Sequence, residues 1–149
     1  MDTDRFWELV SLIGGYPPAD ETESFRAIED ALVAAGESEI TGFEDTLSRL
    51  LYDLDRQEFA AFPTIDTGRE QSSDSFLYNR CAVVVAGRSS YQAVLAGTQS
   101  FQAFTHSRGP SSEPLLYVAE HAFQQVTGRE WEHVAPLDYE TGTNRAGWE

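Results

Sequence analysis

The chain has 149 residues, of which 41% are hydrophobic and 23% charged, and this size and composition allow one globular domain with a buried core. Its formal net charge of −15 repels phosphate backbones, which argues against a nucleic-acid-binding protein. No apolar stretch approaches the roughly 20 residues of a membrane span. The acidic N-terminus is unlike a secretory signal, and the single cysteine, Cys81, excludes an internal disulfide. We therefore expect a cytoplasmic protein with no membrane partner.

The negative charge is concentrated in the first part of the chain. Residues 1–58 contain fifteen acids and four arginines, a net charge of −11, whereas residues 59–149 have a net charge of −4. Solubility is the ordinary explanation for such a surface. The alternative is an acidic face that attracts a cationic protein or peptide, with Glu37, Glu44 and Asp45 as candidate contacts.

Apolar residues at helical spacing predict four well-defined helices outside the middle of the chain. Their expected caps are polar residues at the start and glycines at the end. The first begins at Asp2 or Thr3 and ends at Gly14-Gly15, and the second runs from near Asp20 to Gly36. The third follows Ser38 and continues past Leu54, and the last runs from Pro114 to Gly128.

The longest apolar run, within Ser72–Arg88, decides the fold class. Periodicity cannot distinguish a buried helix from a buried strand here, and Val83-Val84-Val85 favours a strand. Two observations favour a helix: a serine cap precedes the run and Gly87 ends it. In addition, no other segment offers a strand that could satisfy its backbone hydrogen bonds.

These elements predict an all-α fold, a compact single-domain helical bundle over residues 1–149 with a central buried helix. Short helical pieces are expected at residues 59–62, after Ser89 or Ser90, and after Thr98. Residues 129–149 lose helical periodicity and form a short irregular tail that either lies over the bundle or frays.

The organising stretch also contains a recognisable motif. It reads S-S-D-S-F-L-Y-N-R-C-A-V-V-V-A-G-R, and its matching positions are Ser72, Asp74, Phe76, Tyr78, Arg80, Gly87 and Arg88. This pattern resembles the signature S-D-D-x-F-x-Y-F-R-G-W-L-I, followed by G-R, of a bacterial family called domain of unknown function 4240. The sequence departs from it at Ser73, Asn79, Cys81 and Ala82. The resemblance implies a compact helical domain, and it does not imply any particular activity.

Polar residues in and near this stretch are the candidates for chemistry. Asp74 and Tyr78 are four residues apart and share a helix face, whereas Arg80 lies nearly opposite Tyr78. In a functional interpretation they line a pocket with His121, where Arg80 binds an anion and Asp74 or Tyr78 handles a proton. In a structural interpretation Asp74 accepts backbone hydrogens at the helix start, and Arg80 pairs with a carboxylate from another helix.

No catalytic or cofactor motif accompanies these residues. The three histidines are isolated, and no metal-ligand spacing, G-x-S-x-G, G-x-G-x-x-G or P-loop occurs, so we predict neither metal nor cofactor. Cys81 is expected in the core. Trp131 and Trp148, in the polar tail, either anchor a partner or attach the tail to the bundle.

Two functions follow as hypotheses. The first is a non-catalytic binding or regulatory protein whose acidic half docks a cationic protein or peptide, and it is supported by the charge of residues 1–58. The alternative is a small helical enzyme that modifies a peptide or metabolite at a pocket near Asp74, Tyr78 and Arg80. The sequence does not fix the oligomeric state.

Overall fold

Helices account for every regular element of the chain. A computed structural model describes all residues from 1 to 149 and contains no β-strand. The α-helices are α1 (Thr3–Ser11), α2 (Glu23–Ala35), α3 (Glu37–Asp53), α4 (Gln57–Ala60), α5 (Ser73–Val85), α6 (Arg88–Ala96), α7 (Val118–Thr127) and α8 (Arg145–Trp148). Two 3₁₀ helices, Phe101–Phe104 and Glu113–Tyr117, lie between α6 and α7. The predicted all-α fold is confirmed, and no helix has both the length and the apolarity needed to cross a membrane.

Local signals account for most helix boundaries. The Asp2 side chain accepts a hydrogen bond from the Asp4 amide at the start of α1, and Ser72 caps α5 through the Ser75 amide. Some boundaries differ from the prediction. Gly36, at φ +101°, joins α2 directly to α3, so Ser38 is inside the helix and not its cap.

Two later boundaries also differ from the sequence pattern. The helix predicted from Pro114 begins as the 3₁₀ helix Glu113–Tyr117 and becomes α-helical only at Val118. The first 3₁₀ helix is capped by Ser100, whose hydroxyl accepts from the Gln102 amide, and not by Thr98. Both differences shift an element by a turn or less and leave its buried face unchanged.

Helix α5 occupies the centre of the core. Its residues from Asn79 to Val85 are all buried, which explains why this segment lacks an amphipathic pattern. It contacts α1, α3, α6 and both 3₁₀ helices, while α2, α3 and α7 pack against one another. Cys81 is fully buried, and burial raises the pKa of its thiol to about 12, so it behaves as a core residue.

The tail after α7 lies over the bundle and does not fray. It follows α3 from its first turn to its end: Arg129 pairs with Glu37, His133 with Asp45, and the Asn144 side chain donates to the Tyr52 carbonyl oxygen. Between residues 131 and 141 inward and outward residues alternate, as in an extended chain with one covered face. Val134, on the outer side, is 86% exposed.

Candidate functional site

A cavity of about 400 Å³ lies between α5 and the outer loop from His106 to Ser112. Helix α5 contributes Tyr78 and Asn79, and the connector after α1 contributes Tyr16. This volume is within the range of small-molecule sites.

Long-range hydrogen bonds hold the outer loop in place. Asp66 accepts from the backbone amides of Ser107, at 3.2 and 3.1 Å, and of Arg108, at 3.2 Å. The Thr105 hydroxyl accepts from the Ile65 amide, and the Gln102 side chain donates to the Pro63 carbonyl oxygen. Although desolvation acts to raise the pKa of Asp66, the bonds from Ser107 and Arg108 hold it below its ordinary value.

The ionisable side chains that line this cavity are Tyr16, Tyr78, His106 and Arg108, and none is a carboxylate. Polar contact with Glu113 and then burial raise the pKa of Tyr78 to about 12, so its phenol is neutral at physiological pH. The Ser112 hydroxyl oxygen is buried in the cavity wall without a hydrogen-bond partner, in a residue only 4% exposed.

The four residues considered for catalysis do not meet. Tyr78 lines the cavity, whereas Asp74 is exposed in the first turn of α5 and does not line it. Asp74 also accepts no backbone hydrogen bond, contrary to the structural interpretation, because Ser72 caps the helix. Arg80 lies on another side of α5, and His121 is in α7, where its Nδ1 atom is 2.9 Å from a carboxylate oxygen of Glu29. The helix geometry expected from the sequence therefore separates Arg80 from Tyr78, and no single pocket contains all four.

Arg80 belongs to a buried cluster between α3, α5 and the tail. Its guanidinium donates to the Leu51 carbonyl oxygen at 2.9 Å and to the Thr141 hydroxyl at 3.3 Å, and it lies 4.7 Å from the centre of the Phe76 ring. Its Nε atom has no partner, and Arg80 makes no ion pair, so the expected pairing with a carboxylate from another helix is wrong. Burial lowers the pKa of Arg80, and the charge of Asp55 acts in the opposite direction.

Asp55 holds the end of the tail. Its carboxylate is fully buried and accepts hydrogen bonds from the backbone amides of Gly142 and Asn144 and from the indole Nε1 of Trp148, at 2.8–3.1 Å. A Cβ atom at Gly147 would overlap the Asp55 carbonyl oxygen, which shows how closely the two segments pack. This role of Asp55, an acid just after the apolar stripe of α3, was not predicted from the sequence.

The residues considered for partner binding all contact the chain itself. Glu37 and Asp45 pair with Arg129 and His133 of the tail, at 2.9 and 2.6 Å. Glu44 is not a surface residue, because it is only 7% exposed. Trp131 packs edge-on against Phe123, and Trp148 donates to Asp55. A partner would have to displace the tail to reach this surface.

Glu44 should make stability depend on pH. Burial raises its pKa from 4.5 to about 7, so between these values the folded state retains a proton that the unfolded state has lost. Its contribution therefore lowers stability as pH rises from about 4.5 to about 7. Glu44→Gln removes the titrating group. We therefore expect the unfolding free energy of Glu44→Gln, minus that of the natural chain, to increase by about 2–3 kcal/mol between about pH 5 and pH 8.

Urea unfolding of both chains at the two pH values measures this difference. Glu132→Gln, at an exposed position in the tail, is the matched control, and its difference in unfolding free energy from the natural chain should not change with pH. The prediction would be contradicted if the unfolding free energy of Glu44→Gln differed from that of the natural chain by the same amount at both pH values.

A second, shallower depression of about 550 Å³ lies between α2 and α7 and is called the acidic groove here. Its lining includes four carboxylates, from Glu21, Glu29, Asp30 and Glu113, and one arginine, Arg26. Tyr117 adds an aromatic side chain that is 42% exposed, and the buried Phe25 also lines the groove.

No three histidine, cysteine or acidic side chains converge as a metal site. The role of the His106–Ser112 loop as a cavity wall could not be predicted, because the hydrogen bonds that position the loop join residues about forty positions apart. Its only local signal was G-P-S-S beside a histidine and an arginine.

Comparison with known proteins extends the motif match to most of the chain. A family model described as "Protein of unknown function (DUF4240)" matches residues 1–125 of the 149, which includes the cavity, the acidic groove and α5. No curated protein and no solved structure matches the chain. Because the match covers well over half of its length, the chain belongs to the DUF4240 family.

Proposed function

We propose that this protein is a non-catalytic binding protein that docks a cationic segment of a protein or peptide in the acidic groove. The groove itself is the observation that supports this proposal. Its four carboxylates lie around an exposed tyrosine in a chain whose net charge is −15. A lysine or arginine side chain would contact carboxylate oxygens and the face of Tyr117 together.

The charges of the groove are only partly compensated within the chain. Arg26 pairs with Glu23 on its own helix, at 3.2 Å, and His121 contacts Glu29. Asp30 is exposed and makes no ion pair. The surrounding negative field would steer a basic partner toward the groove and speed association.

We locate docking at the acidic groove and not at Glu37, Glu44 and Asp45. These three acids contact or lie beneath the tail, whereas the groove is open to a partner without any rearrangement. Rigid docking to a preformed surface avoids the cost of releasing an ordered segment.

Fluorescence anisotropy with a labelled nonaarginine peptide tests the proposal, with nonaglutamate as the opposite-charge probe. We expect binding of nonaarginine only, weakened at least about tenfold between about 50 mM and 300 mM NaCl because exposed charges are screened. The double variant Glu29→Gln/Asp30→Asn should weaken binding roughly tenfold, since two direct contacts are lost.

The matched control is Glu130→Gln/Glu132→Gln, which removes the same charge from exposed positions of the tail. It should change the affinity less than about threefold, because it affects only the long-range field. Docking in the groove would be overturned if both double variants lost the same affinity for nonaarginine, or if nonaarginine binding did not depend on salt.

A small helical enzyme is the second candidate, and the cavity beside α5 is the observation that favours it. Of the proposed catalytic residues, only Tyr78 lines that cavity, and its raised pKa keeps the phenol protonated at neutral pH, so it is not a general base. In either case we place the protein in the cytoplasm, which is supported by its single, fully buried cysteine.

A further inference from the structure

We infer that the cavity between α5 and the His106–Ser112 loop binds a small aromatic acid that also has an N–H or O–H donor. This inference is independent of docking in the acidic groove. It would name the substrate class if the protein were an enzyme. Three features of the cavity support it, concerning its walls, its charge and its unpaired hydrogen-bonding atoms.

The walls suit a flat ring. Tyr16, Tyr78 and Phe104 come from three separate segments of the chain and all line the cavity, together with Pro17 and Ala82. The rings of Tyr16 and Phe104 are 5.3 Å apart at an angle of 54°. Aromatic side chains from several directions favour a planar apolar group, which gains from stacked and edge-on contacts.

The charge of the lining is opposite to that of the protein. His106 and Arg108 are its only groups that can be cationic, and no carboxylate lines the cavity, although the chain has 25 acids and 10 basic residues. Arg108 makes no ion pair, so its guanidinium is free to bind an anion.

Two acids beside the loop accept hydrogen bonds from its backbone, and a third, Glu113, directly follows the loop and contacts Tyr78. Asp66 accepts from the amides of Ser107 and Arg108, and Glu21 accepts from the amide of Ser111 at 2.7 Å. Their charges are therefore partly compensated by the loop that they hold in place. None of these carboxylates lines the cavity, whereas Arg108 does, so an anion bound there would be attracted to the arginine.

Asn79 presents an acceptor whose orientation is fixed by its neighbours. The Gln71 side chain donates to the carbonyl oxygens of Phe59, Ala60 and Phe62, so its nitrogen must face them. The Gln71 oxygen therefore accepts from the Asn79 nitrogen, at 2.8 Å. The Asn79 Oδ1 atom accepts no hydrogen bond from the protein, which leaves it for a ligand N–H or O–H.

Ser112 is the second group that a ligand would satisfy. Its buried hydroxyl oxygen has no partner. A buried hydroxyl without a partner in the protein has lost the hydrogen bonds that it makes in water, so a ligand group that reaches it would restore one. Arg108, Asn79 and Ser112 would thus recognise the acid and the polar substituent of one ring.

Three related probes separate these contributions: 4-hydroxybenzoate, benzoate, which lacks the donor, and 4-hydroxybenzamide, which lacks the charge. Binding can be followed by NMR titration and by the rise in Tm that a ligand causes. We expect 4-hydroxybenzoate to bind most tightly, and each of the other two to bind roughly tenfold more weakly.

Two variants test the assigned contacts. Arg108→Gln should weaken 4-hydroxybenzoate roughly tenfold and leave 4-hydroxybenzamide within about twofold. Ser112→Ala should weaken ligand binding while leaving Tm of the free protein equal or higher, because it removes an unpaired hydroxyl. A purely structural role of Ser112 would not produce these opposite effects.

Arg69→Gln is the matched control, since Arg69 is exposed, makes no ion pair and does not line the cavity. The inference is overturned if none of the probes binds, if 4-hydroxybenzamide binds as well as 4-hydroxybenzoate, or if Arg69→Gln has the same effect as Arg108→Gln. Because no variant alters the acidic groove, these results are separate from those with nonaarginine.

Discussion

Replacing Asp55 with alanine should destabilise the fold by about 3–5 kcal/mol. The change leaves two backbone amides, of Gly142 and Asn144, and the indole N–H of Trp148 without their shared acceptor. It also removes the negative charge that offsets the burial of Arg80. Hydrogen bonds to a charged acceptor are each worth about 1.5–3 kcal/mol, but they do not add fully when one side chain makes them all.

Urea unfolding measures the loss of stability, and amide hydrogen exchange shows where it arises. We expect the tail amides to lose their protection first, because Asp55 holds them to the end of α3. Asp53→Ala is the control: Asp53 is two residues away and exposed, and its side chain makes no hydrogen bond, so its loss should cost under about 1 kcal/mol. Equal losses in the two variants would show that Asp55 does not anchor the tail.

Replacing Arg80 with methionine should cost about 3 kcal/mol, because it leaves the buried Asp55 carboxylate without a nearby cation. The variant also loses the hydrogen bond to the Leu51 carbonyl oxygen and the contact with the Phe76 ring. Methionine can still fill most of the volume, so the variant should fold. This outcome would support a role of Arg80 in stabilising the fold and not in binding a ligand.

A double-mutant cycle shows whether the two charges act together. In an Asp55→Ala background, Arg80→Met should cost at least about 1 kcal/mol less than in the natural chain, since the charge that it balanced is gone. Arg88→Met removes an exposed arginine paired with Asp4 and should cost under about 1 kcal/mol. Two outcomes would contradict a role of Arg80 in stabilising the fold. One is that the losses in unfolding free energy of the two single variants add exactly in the double variant, and the other is that Arg80→Met keeps its stability but loses ligand binding.

The helices could be predicted because their determinants are local. The Ser72 cap and Gly87 mark α5, and the absence of any strand partner decided between helix and strand for Val83–Val85. The 3₁₀ start of α7 could not be predicted, because Pro114 is equally suited to the first turn of an α-helix. Boundaries of this kind depend on packing against other helices.

The sites were less predictable than the helices because they depend on contacts between distant segments. Spacing along α5 correctly separated Tyr78 from Arg80. Nothing local indicates that Asp66 holds Ser107, or that Asp55 receives the tail. A signal for the ordered tail was present in the sequence, however. Apolar Trp131, Leu137 and Tyr139 are each followed by an acid, an alternation typical of an extended segment with one covered face.

The tail runs along α3, and this affects how much of the chain is needed to form the complete fold. The family match ends at residue 125, whereas the covering of Asp55, Arg80 and Glu44 comes from residues 133–148. A truncated chain that stops at residue 125 would retain α1–α6, both 3₁₀ helices and all but the last two residues of α7, but would leave these buried charged side chains open to water. The segment that completes the interior thus lies outside the region by which the family is recognised.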